Sequence, residues 1–149
     1  LHGIFQALEK ISRRSCPVIL PLHPRTRRAL EKNGLSIDPA SDLVLIDPVD
    51  YIDMICLQVN ARVIFTDSGG VQKEAYFAGV PCVTLRDETE WVETVDAGVN
   101  FLGGADTGAI LTAYSKARPA QVNLRDGLYG DGHAGLAIIR SLIENRVDD

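Results

Sequence analysis

The residues best able to do chemistry form one run: Thr66-Asp67-Ser68-Gly69-Gly70-Val71-Gln72-Lys73-Glu74. The β-formers Val63-Ile64-Phe65 lead into it, and a helix-type segment, Val71 to Ala78, leads out. A serine and two glycines at a strand-to-helix turn place backbone N–H groups at a helix N-terminus. Unpaired donors and the helix dipole together make such a turn a seat for phosphate. Glu74, about one helical turn on, can look back toward the same mouth. Its carboxylate suits a neutral hydroxyl group such as those of ribose, so the run reads as a nucleotide holder.

Residue types alone leave several roles open. Ser68 either contacts phosphate together with the N–H groups of Gly69 and Gly70, or caps the helix, as serine commonly does. A nucleophilic Ser68 is excluded. The surroundings are strand–turn–helix, and a nucleophile elbow needs glycine two residues to either side, where Thr66 stands on one side. Glu74 has the alternative of an exposed helix residue beside Lys73. Gly69 and Gly70 have that of turn residues needing positive φ. In Arg86-Asp87-Glu88-Thr89-Glu90-Trp91-Val92-Glu93, acidic residues at a helix start already satisfy the dipole without a ligand. Trp91, the only tryptophan, either stacks on a ring or packs. His23 either donates to a ligand or orients its loop. His133 is expected to be exposed near the start of the last helix.

The elements that must position these residues alternate along the chain. Ile4, Phe5, Leu8 and Ile11 mark one face of a helix over 3–14. Val18-Ile-Leu-Pro-Leu22 reads as a strand. A basic helix from Pro24 to Asn33 follows, with Gly34 at its end. Leu43-Val-Leu-Ile46 is the next strand. Asp47-Pro48 then opens a helix, as cap and first residue, that runs to about Val59. Strands over 62–66, 81–85 and 99–102 alternate with helices over 70–78, 88–96 and 107–116. Gly79 and Gly98 stop two of these helices. A loop over 117–131 precedes a final helix over 132–145.

Short continuous apolar strands between helices indicate a parallel sheet covered on both faces. The expectation is a single domain over 1–149, a doubly wound α/β sheet with ligands beyond the carboxyl ends of its strands. His23, Asp47, Asp67-Ser68 and Arg86-Asp87 all follow strands. An alternating domain normally opens on a strand, and this chain opens on an amphipathic helix, so a strand upstream is expected.

Bulk properties narrow the function classes. The 149 residues are 46% hydrophobic and 23% charged, ordinary for a globular domain with a real core. A formal charge of −5 argues against a general binder of nucleic acid. Arg13-Arg14 and Arg25, Arg27 and Arg28 read as a solvated helix face. Cys16, Cys56 and Cys82 lack metal-type spacing and read as buried free thiols in a reducing compartment, the cytoplasm. No apolar run approaches the ~18 residues of a membrane span, and no signal peptide is visible.

Longer blocks carry a resemblance. Thr66 to Glu74, Gly79-Val-Pro-Cys-Val-Thr-Leu-Arg-Asp87, Thr89-Glu-Trp-Val-Glu93 and Gly98 resemble the non-hydrolysing UDP-N-acetylglucosamine 2-epimerase family. So do His23 after a strand, Ile46-Asp47-Pro48 with Tyr51, and Tyr129-Gly130-Asp131-Gly132. The resemblance implies the Rossmann-like C-terminal, nucleotide-holding half of a two-domain enzyme with the glycosyltransferase-B type of fold. It implies that Ser68 and Gly69, with Gly70 beside them, hold the UDP phosphates, and that Glu74 binds the ribose hydroxyls. His23 and Trp91 are the remaining substrate-binding candidates. The implied reaction eliminates UDP from a UDP-amino sugar across C1–C2 and adds it back after the C2 proton returns on the other face. That chemistry implies no NAD and no metal. The implied partners are UDP and its amino sugar, the N-terminal domain of the same enzyme and a second copy in a homodimer, with neither nucleic acid nor membrane.

This chain departs from the family pattern in three ways. No catalytic residue is expected within it, because the family's acid/base carboxylates lie in the N-terminal domain. A Gly-His-Arg-Arg-Glu-Asn-type segment, which carries a phosphate-contacting histidine, should precede the first helix; His2 is not that residue. Trp91 stands where the main bacterial pattern has arginine, as in a branch that includes archaeal-type enzymes and epimerases of more decorated UDP-amino sugars. The segment before the first helix would also supply a central strand, between those holding Leu20 and Phe65. Those two strands are then expected either to pair directly or to borrow a strand. A UDP-sugar glycosyltransferase domain and a non-catalytic nucleotide-sugar sensor are the competing readings.

Overall fold

The structure, a computed structural model, describes residues 1–14, 17–34, 37–118, 120, 122 and 128–144. Its elements alternate in the expected order: α1 (His2–Arg14), β1 (Val18–Pro21), α2 (Pro24–Lys32), β2 (Leu43–Ile46), α3 (Tyr51–Val59), β3 (Ile64–Thr66), α4 (Gly69–Phe77), β4 (Cys82–Thr84), α5 (Val92–Asp96), β5 (Asn100–Leu102), α6 (Thr107–Ala117) and α7 (Ala134–Glu144). Every ladder is parallel, as continuous apolar strands separated by helices require. Gly79 and Gly98 end their helices at φ +71°, a conformation open to glycine and strained for other residues.

The strands fall into two groups. β1 pairs with β2, aligning Leu20 with Leu45, while β3, β4 and β5 form a second sheet in that order. Among the described residues no ladder joins β1 to β3, so the direct pairing considered for the Leu20 and Phe65 strands does not occur. The two groups meet instead through side chains. Phe5 and Leu8 of α1 pack with Leu22, Leu30 and Leu43, and both Leu20 and Phe65 lie against that cluster. On its other side α1 packs Ala7 and Ile11 against Ile110 of α6. The predicted apolar face of the first helix is thus the contact that joins the two groups, with Phe5, Leu8 and Ile11 all buried.

Two helix starts differ from expectation. Asp50, rather than Asp47, caps α3, accepting from the Asp53 N–H at 2.9 Å. Asp47 instead takes an exposed ion pair from Arg27 at 3.1 Å. α5 begins at Val92, because Thr89 bends the preceding residues into a turn by accepting from the Trp91 N–H at 3.1 Å. Only Glu93 of the acidic residues there lies in a helical first turn. Arg25, Arg27 and Arg28 are exposed, as a solvated face predicts. Cys82 is buried and free, but Cys56 is free and exposed, since α3 turns that side outward; Cys16 lies outside the described residues. Most of the predicted loop over 117–131 lies outside them as well. α7 exposes Leu136, Ile138, Ile139, Leu142 and Ile143 along its length.

Close approach dictates one glycine at the junction of α1 and α6. A Cβ on Gly3 would stand 2.5 Å from the Ala105 carbonyl oxygen, and the Thr107 hydroxyl donates to the Gly3 carbonyl at 3.0 Å. Gly3→Ala is expected to push α1 off α6. Overpacking of about 1–3 kcal/mol, offset by up to about 1 kcal/mol of helix propensity, leaves a net loss of roughly 1–2 kcal/mol in urea unfolding.

Candidate functional site

The site is built at the N-terminus of α4. β3 ends at Thr66, whose hydroxyl accepts from the Ser68 N–H at 3.0 Å and sets the turn. Ser68 takes the N-cap position with extended φ −86° and ψ 125°, yet its side chain makes no capping bond. The first helical bond runs from Gln72 N–H to Ser68 carbonyl at 3.2 Å, so the N–H groups of Gly69, Gly70 and Val71 lead the helix. The cap reading of the Ser68 hydroxyl is therefore set aside. The exposed serine and the leading N–H groups stand at the positive end of a nine-residue helix, an arrangement that favours an anion such as phosphate.

Neither Gly69 nor Gly70 has positive φ, so the turn-glycine alternative is corrected. Gly69 is closely approached by side chains. A Cβ there would run into the Glu90 carboxylate and stand 3.2 Å from Trp91 Nε1. The Trp91 indole N–H donates to the Gly69 carbonyl at 2.9 Å. Its ring also lies under Lys73, whose Nζ is 4.4 Å from the ring centre and 4.5 Å from that of Tyr129. In the structure the indole packs: it braces the turn at the start of α4 and carries a cation held between two aromatic faces. The Tyr129 hydroxyl is buried, with no partner at hydrogen-bond geometry among the described residues. Burial first, and then the neighbouring Glu93 carboxylate, push its pKa up to about 12, so it stays protonated.

Glu74 sits half-buried one turn further on and accepts from Gln58 Nε2 of α3 at 2.8 Å, so the exposed-residue alternative does not hold. His23 is exposed and caps its own helix, its Nδ1 accepting from the Arg25 N–H at 3.2 Å. That is the loop-orienting role. His133 is exposed before α7, as expected. The Cys82 thiol is raised to about 12, by burial against a smaller lowering effect of Thr84, and is inert at neutral pH. Among the described residues no group of three or more His, Cys, Asp or Glu could hold a metal ion, and no helix is long and apolar enough to cross a membrane.

The buried scaffold under the site was not anticipated. Asn100 of β5 is 2% exposed. Its Nδ2 donates to Gln72 Oε1 at 3.0 Å and to Thr94 Oγ1 at 3.1 Å, and its Oδ1 accepts from the Thr84 hydroxyl at 2.7 Å. Thr89 donates to Gln72 Oε1 at 2.6 Å, and Thr94 donates to the Trp91 carbonyl at 2.7 Å. β4, β5, α4, α5 and the turn carrying Trp91 are thereby tied together. An asparagine inside a short apolar strand, Val99-Asn-Phe-Leu102, was the available signal, since such a residue must find partners when buried.

Comparison with known proteins supplies the family. Residues 1–143 match the family model described as UDP-N-acetylglucosamine 2-epimerase. The chain is 44% identical over 142 residues to the UDP-2,3-diacetamido-2,3-dideoxy-D-glucuronate 2-epimerase of Pseudomonas aeruginosa, covering 95% of this chain and 39% of that protein. It is 51% identical over 129 residues to a UDP-N-acetylglucosamine 2-epimerase homolog of Methanococcus maripaludis, covering 84% and 35%. The Methanocaldococcus jannaschii UDP-GlcNAc 2-epimerase in complex with UDP-GlcNAc and UDP superposes with a TM-score of 0.78 at 36% identity, over 96% of this chain and 39% of that one. This chain therefore spans about two fifths of the length of these relatives.

Proposed function

We propose, from the premise that this chain belongs to the UDP-N-acetylglucosamine 2-epimerase family, that it is the UDP-holding part of a UDP-amino-sugar 2-epimerase. The observation that carries the reading is the start of α4: a serine whose side chain makes no cap bond and three leading N–H groups, with the Glu74 carboxylate one turn on. Ser68, Gly69 and Gly70 hold the diphosphate, and Glu74 accepts from the ribose hydroxyls. His23 and Trp91 act from the margin, one shaping its loop and the other bracing Gly69.

In this reading UDP leaves the sugar across C1–C2 and is added back after the C2 proton returns on the other face. The nucleotide must stay bound while its bond to the sugar is broken. Negative charge grows on the diphosphate as it leaves, and N–H groups already oriented toward it stabilise that charge without reorganising. The proton-moving carboxylates come from the remainder of the longer enzyme, so this part alone turns over no substrate. The exposed apolar row on α7 supports a covering partner, which we assign to that N-terminal domain. The likeness to an epimerase of a diacetamido glucuronate supports a decorated UDP-amino sugar as substrate, beside UDP-N-acetylglucosamine itself.

Calorimetric titration tests the holder role: UDP is expected to bind this chain more tightly than UMP, because the second phosphate sits on the N–H groups. Equal affinities would remove the diphosphate from the seat. In a full-length enzyme carrying this domain, the 2-epimer should form without any acceptor. Acceptor-dependent transfer would instead establish the glycosyltransferase reading.

A further inference from the structure

The burial of α3 calls for a cause. This helix leaves Tyr51, Ile52 and Val59 exposed, at 66%, 72% and 52%, and Met54, Ile55 and Leu57 half-buried, while its one fully buried residue is a glutamine, Gln58, at 4%. Burial ordinarily selects the apolar residues of a helix and leaves its amides in water. The Gln58 amide donates through Nε2 to Glu74 Oε2 at 2.8 Å, while its Oε1 is buried with no hydrogen-bond partner among the described residues. The opposite orientation would set the amide oxygen against a carboxylate, two acceptors face to face, so Glu74 dictates which way the amide lies. A methionine or leucine would fill the same space without stranding an acceptor. Packing therefore does not account for a glutamine here; the bond to Glu74 does.

We infer that Gln58 is a positioning residue for nucleotide recognition: it holds the Glu74 carboxylate in the orientation that accepts from the vicinal hydroxyls of a ribose. The inference rests on the assignment of Glu74 to ribose made above. An ionised carboxylate offers about four acceptor directions, so one bond from Gln58 leaves room for two hydroxyls. Fixing the side chain beforehand removes rotamer freedom that a ligand would otherwise have to freeze. Gln58 lies 16 residues before Glu74, on a different helix, and its hydrogen bond goes to the Glu74 carboxylate. Its effect should thus be confined to the sugar end of the nucleotide.

The test pairs UDP with 2′,3′-dideoxy-UDP, which lacks the two hydroxyls, in calorimetric titrations of the wild type, Gln58→Met, Glu74→Ala and the double variant. Gln58→Met is expected to weaken UDP about 5- to 20-fold and to leave dideoxy-UDP unchanged, with an unfolding midpoint equal to or above that of the wild type. The double variant should bind UDP no worse than Glu74→Ala alone, because Gln58 acts through Glu74. Gln58→Leu is the second variant should the first not fold. If Gln58→Met binds UDP as the wild type does while Glu74→Ala loses it, the positioning role fails and the ribose assignment stands. If Glu74→Ala keeps wild-type UDP affinity, the ribose assignment fails and takes this inference with it. Equal loss of both ligands with a lowered midpoint would make Gln58 a general prop and overturn the inference.

Discussion

Replacing Asn100 with alanine is expected to lower folding stability by about 3 kcal/mol. The side chain is 2% exposed and makes three hydrogen bonds, to Thr84, Gln72 and Thr94. Alanine removes all three and leaves a polar-lined cavity. Gln72 Oε1 keeps Thr89 and the Thr94 hydroxyl keeps the Trp91 carbonyl, so those groups lose one partner each. The Thr84 hydroxyl, 0% exposed, loses the acceptor it donates to and carries the heaviest share of the loss. Urea unfolding should show a lower midpoint at unchanged slope, and thermal melting a fall of roughly 6–12 °C for a domain of this size. A loss below about 0.5 kcal/mol would mean that water or a shifted side chain replaces the asparagine, and that the network does not hold the strands and the α4 turn together.

Glu74→Ala is expected to weaken UDP by about 1–3 kcal/mol, or between about 5- and 150-fold, the cost of losing a charge-assisted contact with the ribose hydroxyls. On the proposed assignment inorganic pyrophosphate, which would engage Ser68 and the N–H groups of the α4 turn but not Glu74, should bind the variant as it binds the wild type. Stability should change little, since Glu74 is half-buried and makes its hydrogen bond to a single side chain, Gln58. Calorimetry with both ligands separates the outcomes. An unchanged UDP affinity in a folded variant would remove Glu74 from the ribose, whereas parallel loss of pyrophosphate would mean that the carboxylate shapes the turn itself.

Much of this arrangement is legible in the residue order. The alternation of elements, the apolar face of α1 and the strand–turn–helix at 63–78 follow from periodicity and from glycine at helix ends. Helix starts were less legible. Asp47-Pro48 is as good a local opening as Asp50, and the choice fell to Asp50, the residue whose carboxylate reaches a first-turn N–H. At Ser68 the local signal for a cap is strong, but the hydroxyl makes no such bond, while the Ser68 N–H turns back onto Thr66. Trp91 could not be read from spacing, because its role depends on a carbonyl 22 residues away.

The class of fold, the strand–turn–helix at 63–78 and the family are legible in the residue order, because these rest on periodicity, on glycine conformation and on runs of residues adjacent along the chain. Tertiary structure alone decided how the turn is held: Gln58 against Glu74, Trp91 against Gly69, and Asn100 beneath Gln72, contacts that bridge 16, 22 and 28 positions. It also decided that the strands of Leu20 and Phe65 meet through side chains without a ladder between them. The physical reason is the same throughout. A buried polar group takes whichever partner the packing brings within about 3 Å, and no local pattern in the chain encodes which one that is.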